Sequence, residues 1–194
     1  MKPTYNGFEA KKTGGFIELP PRGCYVAEIK TANEINLEYL NRKAIDVTLD
    51  ICEGEYKGRY EEVWKDQDEK FGKATFKGSF RLIPYVEGDE DWRKRAFESN
   101  LWCVQESNPG YAWDWDEKKL IGKKVGINVR NRLYTYNNQD RSTTEICQFE
   151  TVDDVRNGKC KLKPDRDQRK KHDEDSTDGS EFTDVSKNVD VPWA

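Results

Sequence analysis

Lys43-Ala-Ile-Asp-Val-Thr-Leu-Asp-Ile-Cys52 alternates apolar and polar residues more cleanly than any other stretch of this chain. Ile45, Val47, Leu49 and Ile51 fall on one side; Asp46, Thr48 and Asp50 fall on the other. A period of two marks a strand with one buried face. The same period returns over Lys73 to Tyr85, where Phe76, Phe80 and Leu82 share a face with Gly78 between them. Thr75, Lys77, Ser79, Arg81 and Tyr85 lie opposite. It returns again over Lys124 to Tyr136, with Val125, Ile127, Val129 and Leu133 on one side. Asn128, Arg130, Arg132, Tyr134 and Tyr136 lie on the other. A turn at Pro20-Pro21-Arg22-Gly23 leads into a strand over Cys24 to Ile29, Gly54 to Gly58 forms another turn, and a last strand covers Thr143 to Glu150.

Two helices interrupt the strands. Asp89 is placed to cap a segment bearing Trp92, Ala96, Phe97, Leu101 and Val104, which Asn108-Pro109-Gly110 ends. Thr151-Val-Asp-Asp154 has the form of a capping box, and Gly158 suits the end of that short helix. Short strands with one or two inserted helices predict a mainly β protein, a small β-barrel in preference to a parallel α/β sheet.

Composition narrows the class. Hydrophobic residues make up 35% of the 194 positions and charged residues 36%, yet aromatics reach 12%, with six Trp and nine Tyr. Disordered chains are poor in aromatics, so a packed core is expected. No stretch is long and apolar enough to span a membrane, and the N-terminal residues lack an apolar signal region. Cys24, Cys52, Cys103, Cys147 and Cys160 are odd in number and form no CxxC pair, and His172 is the single histidine. These counts argue against a zinc site or other cofactor and against a disulfide framework, and predict reduced thiols in a cytoplasm.

The net charge of −4 divides unevenly. From His172 to Ala194 seven acids stand against Lys187 alone, a net of −6, which leaves +2 for residues 1–171. Lys161 to Lys171 holds six bases against Asp165 and Asp167. Apolar periodicity stops near Pro164, so residues 1–163 are read as a folded body with an N-terminal arm. Residues 164–194 are read as a disordered linker and acidic tail. That tail ends in an apolar tip, Asp190-Val191-Pro192-Trp193-Ala194, which suits a partner-docking anchor steered by the acids around it.

Single strands are bound by cations for phosphates together with flat rings on which bases stack. The strand faces bearing Lys77, Arg81 and Tyr85, and Arg130, Arg132, Tyr134 and Tyr136, hold that mixture and form the candidate nucleic-acid-binding set. Arg and Tyr are also ordinary solvent-side strand residues. Trp92, Trp102, Trp113 and Trp115 read first as core or helix-docking rings. Neither a GxxxxGK[ST] nor a GxGxxG phosphate loop occurs, and His172 falls in the linker, so no enzyme is expected. The one catalytic pattern to weigh is Asp46 and Asp50 followed by Glu55-Tyr56-Lys57, an order that some metal-dependent nucleases use; here it falls partly in a turn.

Several stretches, in order along nearly the whole chain, resemble a family of tailed-phage single-stranded DNA-binding proteins. They are Gly7 to Ala10 with Gly14 to Phe16, Leu19 to Tyr25, Asp50 to Gly58, Glu106 to Glu117, Leu120 to Gly126, Val152 to Lys159 and Glu181 to Val185. The resemblance implies an OB-like barrel, single-stranded DNA as partner, and a role in phage replication or recombination in the cytoplasm of an infected bacterium. It assigns no individual site residues. The chain end is also similar to the acidic tips of single-stranded DNA-binding proteins, which commonly finish with Pro and Phe. Here Trp193 stands in place of Phe, and Ala194 displaces the terminal carboxylate, which predicts weaker docking to host replication or recombination proteins that read both. A rival of another class is a phage inhibitor or adaptor whose acidic surface mimics nucleic acid and does not bind DNA. The patterning leaves a homo-oligomer open.

Overall fold

A computed structural model describes residues 17–72 and 74–169. The elements run β1 (Gly23–Leu37), β2 (Arg42–Ile51), α1 (Arg59–Phe71), β3 (Ser79–Leu82), α2 (Asp91–Ser107), β4 (Lys124–Tyr136), β5 (Gln139–Glu150), α3 (Val152–Arg156) and β6 (Arg166–Gln168). The protein is mainly β. Five strands pair antiparallel in the order β3-β2-β1-β4-β5, and β6 lies parallel on β4. The ladder is open between β3 and β5, so hydrogen bonding does not close the sheet into a barrel.

β2 follows the expected alternation on its apolar side. Ile45, Val47, Leu49 and Ile51 are buried among Ala27 and Ile29 of β1, Val125, Ile127 and Val129 of β4, and Phe97, Leu101 and Val104 of α2. Asp50 departs from the pattern, being buried on the polar side. Its carboxylate accepts backbone N–H groups from Ile51 (2.8 Å), Tyr60 (3.1 Å) and Glu61 (3.1 Å), and so holds the first turn of α1 against β2. Burial raises its pKa, and the three N–H donors oppose that rise.

The strand lengths depart from the sequence expectation in both directions. β1 continues eight residues past Ile29, because a ladder irregularity between Ile29 and Thr31 breaks the period of two while pairing with β2 goes on. β3 is only four residues long. Its approach is set by Gly78, whose carbonyl accepts the Leu49 N–H at 2.7 Å. A Cβ there would lie 2.4 Å from the Leu49 carbonyl oxygen, so only glycine lets the two backbones pass this closely.

α1 has no counterpart among the sequence expectations. It buries only Tyr60 and Val63, a stripe too short to stand out among its charged residues, and it stops at Gly72 with φ 67°. α2 begins two residues after Asp89. Glu90 occupies the cap position without capping a backbone N–H, its carboxylate accepting the Trp92 indole N–H instead, while Asp89 accepts the Arg42 guanidinium through both oxygens (2.6 and 2.9 Å) and the Val86 N–H. Arg42 thereby holds the Asp89 pKa down at about 2. α3 matches its expected cap: Thr151 Oγ1 accepts the Asp154 N–H at 3.1 Å and donates to its carboxylate at 2.8 Å.

Beyond α3 the chain returns along β1 and β4. Asn128, buried on β4, donates to the Glu150 carboxylate (3.0 Å) and the Lys161 carbonyl (2.9 Å), and its Oδ1 accepts from the Lys163 N–H. This return sets Cys160 beside Cys24, and the two form a disulfide across 136 residues. The expectation of reduced thiols therefore fails for this pair, because chain spacing gives no sign of a contact that tertiary packing creates. Cys52, Cys103 and Cys147 are free. β6 follows, so the break read at Pro164 falls short of chain that is tied to β4. Residues 170–194, which hold His172, the acidic run and the tip, lie outside the described residues, as do residues 1–16 of the N-terminal arm read over 1–20.

Candidate nucleic-acid interface

Because no ladder joins β3 to β5, a groove of about 660 Å³ opens along that seam, with α2 beside it. β3 and the chain before it contribute Lys77, Ser79 and Arg81; β4 contributes Arg130 and Arg132. Thr143, Glu145 and Cys147 come from β5, Arg166 from β6, and Trp92, Arg93 and Ala96 from the first turns of α2. Phe76, Phe80 and Phe97 add apolar surface, and Phe80 packs on Phe149 of β5 with ring centroids 4.7 Å apart. The lining thus carries six cationic side chains against one carboxylate, Glu145, interleaved with aromatic rings.

The cations are held at defined positions. Arg130 donates from Nε to Glu145 at 2.9 Å, and Arg166 reaches the other oxygen of the same carboxylate at 3.7 Å. Arg81 donates to Asp46 at 3.1 Å. Arg132 donates to Gln168 at 2.8 Å and lies over the Tyr134 ring, while Arg93 lies over Trp92. Burial presses the Arg166 pKa down from its usual value against the pull of Glu145. Burial also pushes the Cys147 thiol up to about 11, so it lines the groove as a neutral group.

Four of the seven residues proposed from sequence, Lys77, Arg81, Arg130 and Arg132, meet in this groove although they come from two distant segments. Tyr85 stands outside the lining, edge-on to Phe97 at 6.2 Å with Lys94 over its ring. Tyr134 and Tyr136 sit farther along the β4–β5 ribbon and do not line the groove; Tyr136 is exposed, with Arg141 over its ring. Trp92, Arg93 and Arg166 are the residues that sequence reading missed. Trp92 was assigned to the core stripe of α2, and Arg166 lay in the stretch read as linker. The partner-docking set Asp190, Val191, Pro192 and Trp193 lies outside the described residues.

The nuclease-like set does not assemble. Asp50 is committed to the backbone of α1 and Asp46 faces Arg81. Among the described residues no three His, Cys, Asp or Glu side chains converge in a way that could hold a metal ion. No helix of the described residues is long and apolar enough to cross a membrane. The chain matches no protein-family profile and no curated protein.

Proposed function

We propose that this protein binds single-stranded DNA in the groove between β3 and β5, without catalysis and largely without sequence preference. The observation that carries the reading is the convergence of Lys77, Arg81, Arg130 and Arg132 with the partly exposed rings of Phe76, Phe80 and Trp92 on one open groove. Cations spaced among rings offer phosphates their charge and bases a stacking surface, and stacking tolerates any base because each has a π-face.

An OB-like barrel is the architecture that fits best. The order β3-β2-β1-β4-β5, with α2 inserted between β3 and β4, supports that reading, since pairing of β3 with β5 would complete a five-stranded barrel. The sequence resemblance to tailed-phage single-stranded DNA-binding proteins supports the same reading and adds the biological setting: phage replication or recombination in an infected bacterial cytoplasm.

The test is a fluorescence titration of the full-length protein with oligo-dT at low salt, with duplex DNA as competitor. Saturable quenching that duplex relieves poorly is the expected result. Absence of binding at low salt would overturn the proposal.

A further inference from the structure

Trp115 combines two features that stable folding alone does not require. Its backbone lies in the left-handed region at φ 68°, and the residue is 65% exposed. The other non-glycine residues with positive φ among the described residues are Asn41, Asn137 and Asn138, all at hairpin turns, where asparagine tolerates that conformation. A bulky side chain in this region is strained, and a ring left mostly in water recovers little of that strain through burial.

What the conformation achieves is position. The Trp115 ring stacks on Phe97, with centroids 5.9 Å apart and planes at 25°, while Trp113 packs beside it at 5.9 Å. Phe97 itself lines the groove. Phe97 is itself buried, so it forms the shared wall between the groove and the Trp115 ring, which lies on its far side towards solvent. The loop carrying it is fastened on both sides: the Trp113 N–H donates to Gln105 Oε1 at 2.8 Å, and Asp116 accepts the Lys118 N–H. The adjacent carboxylates of Asp114 and Asp116 both face Lys119, which lowers the Asp114 pKa and offsets the local negative charge.

We propose that Trp115 is a second stacking platform for the same single strand. A base that leaves the groove past Phe97 stacks on the exposed side of the Trp115 ring and extends the Phe97–Trp115 stack by one member. The proposal rests on the groove as the DNA site and adds to it a strained loop residue outside the lining.

The experiment compares full-length wild type with Trp115→Ala, Trp115→Phe and Trp115→Gly, each titrated with short and long oligo-dT over a range of salt. Trp115→Ala and Trp115→Gly should weaken binding of the longer oligomer about 5- to 150-fold, the range that loss of one stacked base produces. Trp115→Phe should retain most of the affinity. The salt slope should stay at the wild-type value in all three, because no phosphate contact is removed. Trp115→Gly loses the same ring as Trp115→Ala but relieves the positive φ, so it should unfold above Trp115→Ala while binding as weakly, which separates stacking from folding. Wild-type affinity in Trp115→Ala, alongside weakened binding by Lys77→Ala, would overturn the platform and leave the groove standing. Absence of DNA binding by the wild type would overturn both.

Discussion

Replacing Lys77 and Arg132 together by alanine should remove about half of the salt dependence of single-strand binding. Six cations line the groove, but Glu145 is shared by Arg130 and Arg166, and Arg81 is engaged by Asp46. Together with Asp46 the lining thus carries a net charge of about +4, for a slope of log K against log salt near −2.8 at about −0.7 per phosphate. Affinity should then fall about 50-fold between roughly 50 and 200 mM salt. Lys77 and Arg132 are the cations to remove: Lys77 is exposed, and Arg132 donates to the neutral Gln168. Without both, the slope should drop to about −1.4 and the same salt step should cost about 7-fold. Both side chains are solvent-facing, so unfolding stability should change by no more than about 0.5 kcal/mol each. Fluorescence titration with oligo-dT at four or five salt concentrations gives both slopes. A double variant with the wild-type slope, or a wild type with a slope near zero, would refute the assignment of phosphates to this groove.

Other consequences concern stability. Gly78→Ala forces a Cβ to 2.4 Å from the Leu49 carbonyl, so it should destabilise the fold by about 1–3 kcal/mol in urea unfolding. Cys160→Ser opens a loop of 136 residues, for which chain entropy sets a loss of at most about 5 kcal/mol; dithiothreitol should lower the wild-type unfolding midpoint and leave the variant's unchanged. Glu53 has its pKa lowered to about 2, chiefly by Arg156, with Lys124 assisting. Its folded value lies below the unfolded one, near the usual 4.5, so its contribution is complete above that value and fades as pH falls towards 2. The pair is partly solvated, so Glu53→Gln should remove only about 1 kcal/mol at neutral pH and flatten the acid limb of a pH–stability curve.

The sequence by itself determined the features whose physics is local. Alternation over Lys43 to Cys52 and Lys124 to Tyr136 marks the central strands because a pleated chain sends successive side chains to opposite faces. Thr151 and Asp154 mark the start of α3 because a capping box is complete within four residues. The same period over Lys73 to Tyr85 and Lys124 to Tyr136 placed Lys77, Arg81, Arg130 and Arg132 on faces opposite the core. Only the tertiary structure decided that they meet, since strand order and the open β3–β5 seam arise from pairings between distant segments. The disulfide between Cys24 and Cys160, β6 on β4, and the placing of Trp92 and Arg166 in the groove belong to the same class. α1 stayed hidden because its stability comes from Asp50 holding its first turn and from just two buried side chains, none of which makes a helical period. Trp115 is the limiting case: its neighbours in sequence are acids, and only its stacking on Phe97 links it to the groove.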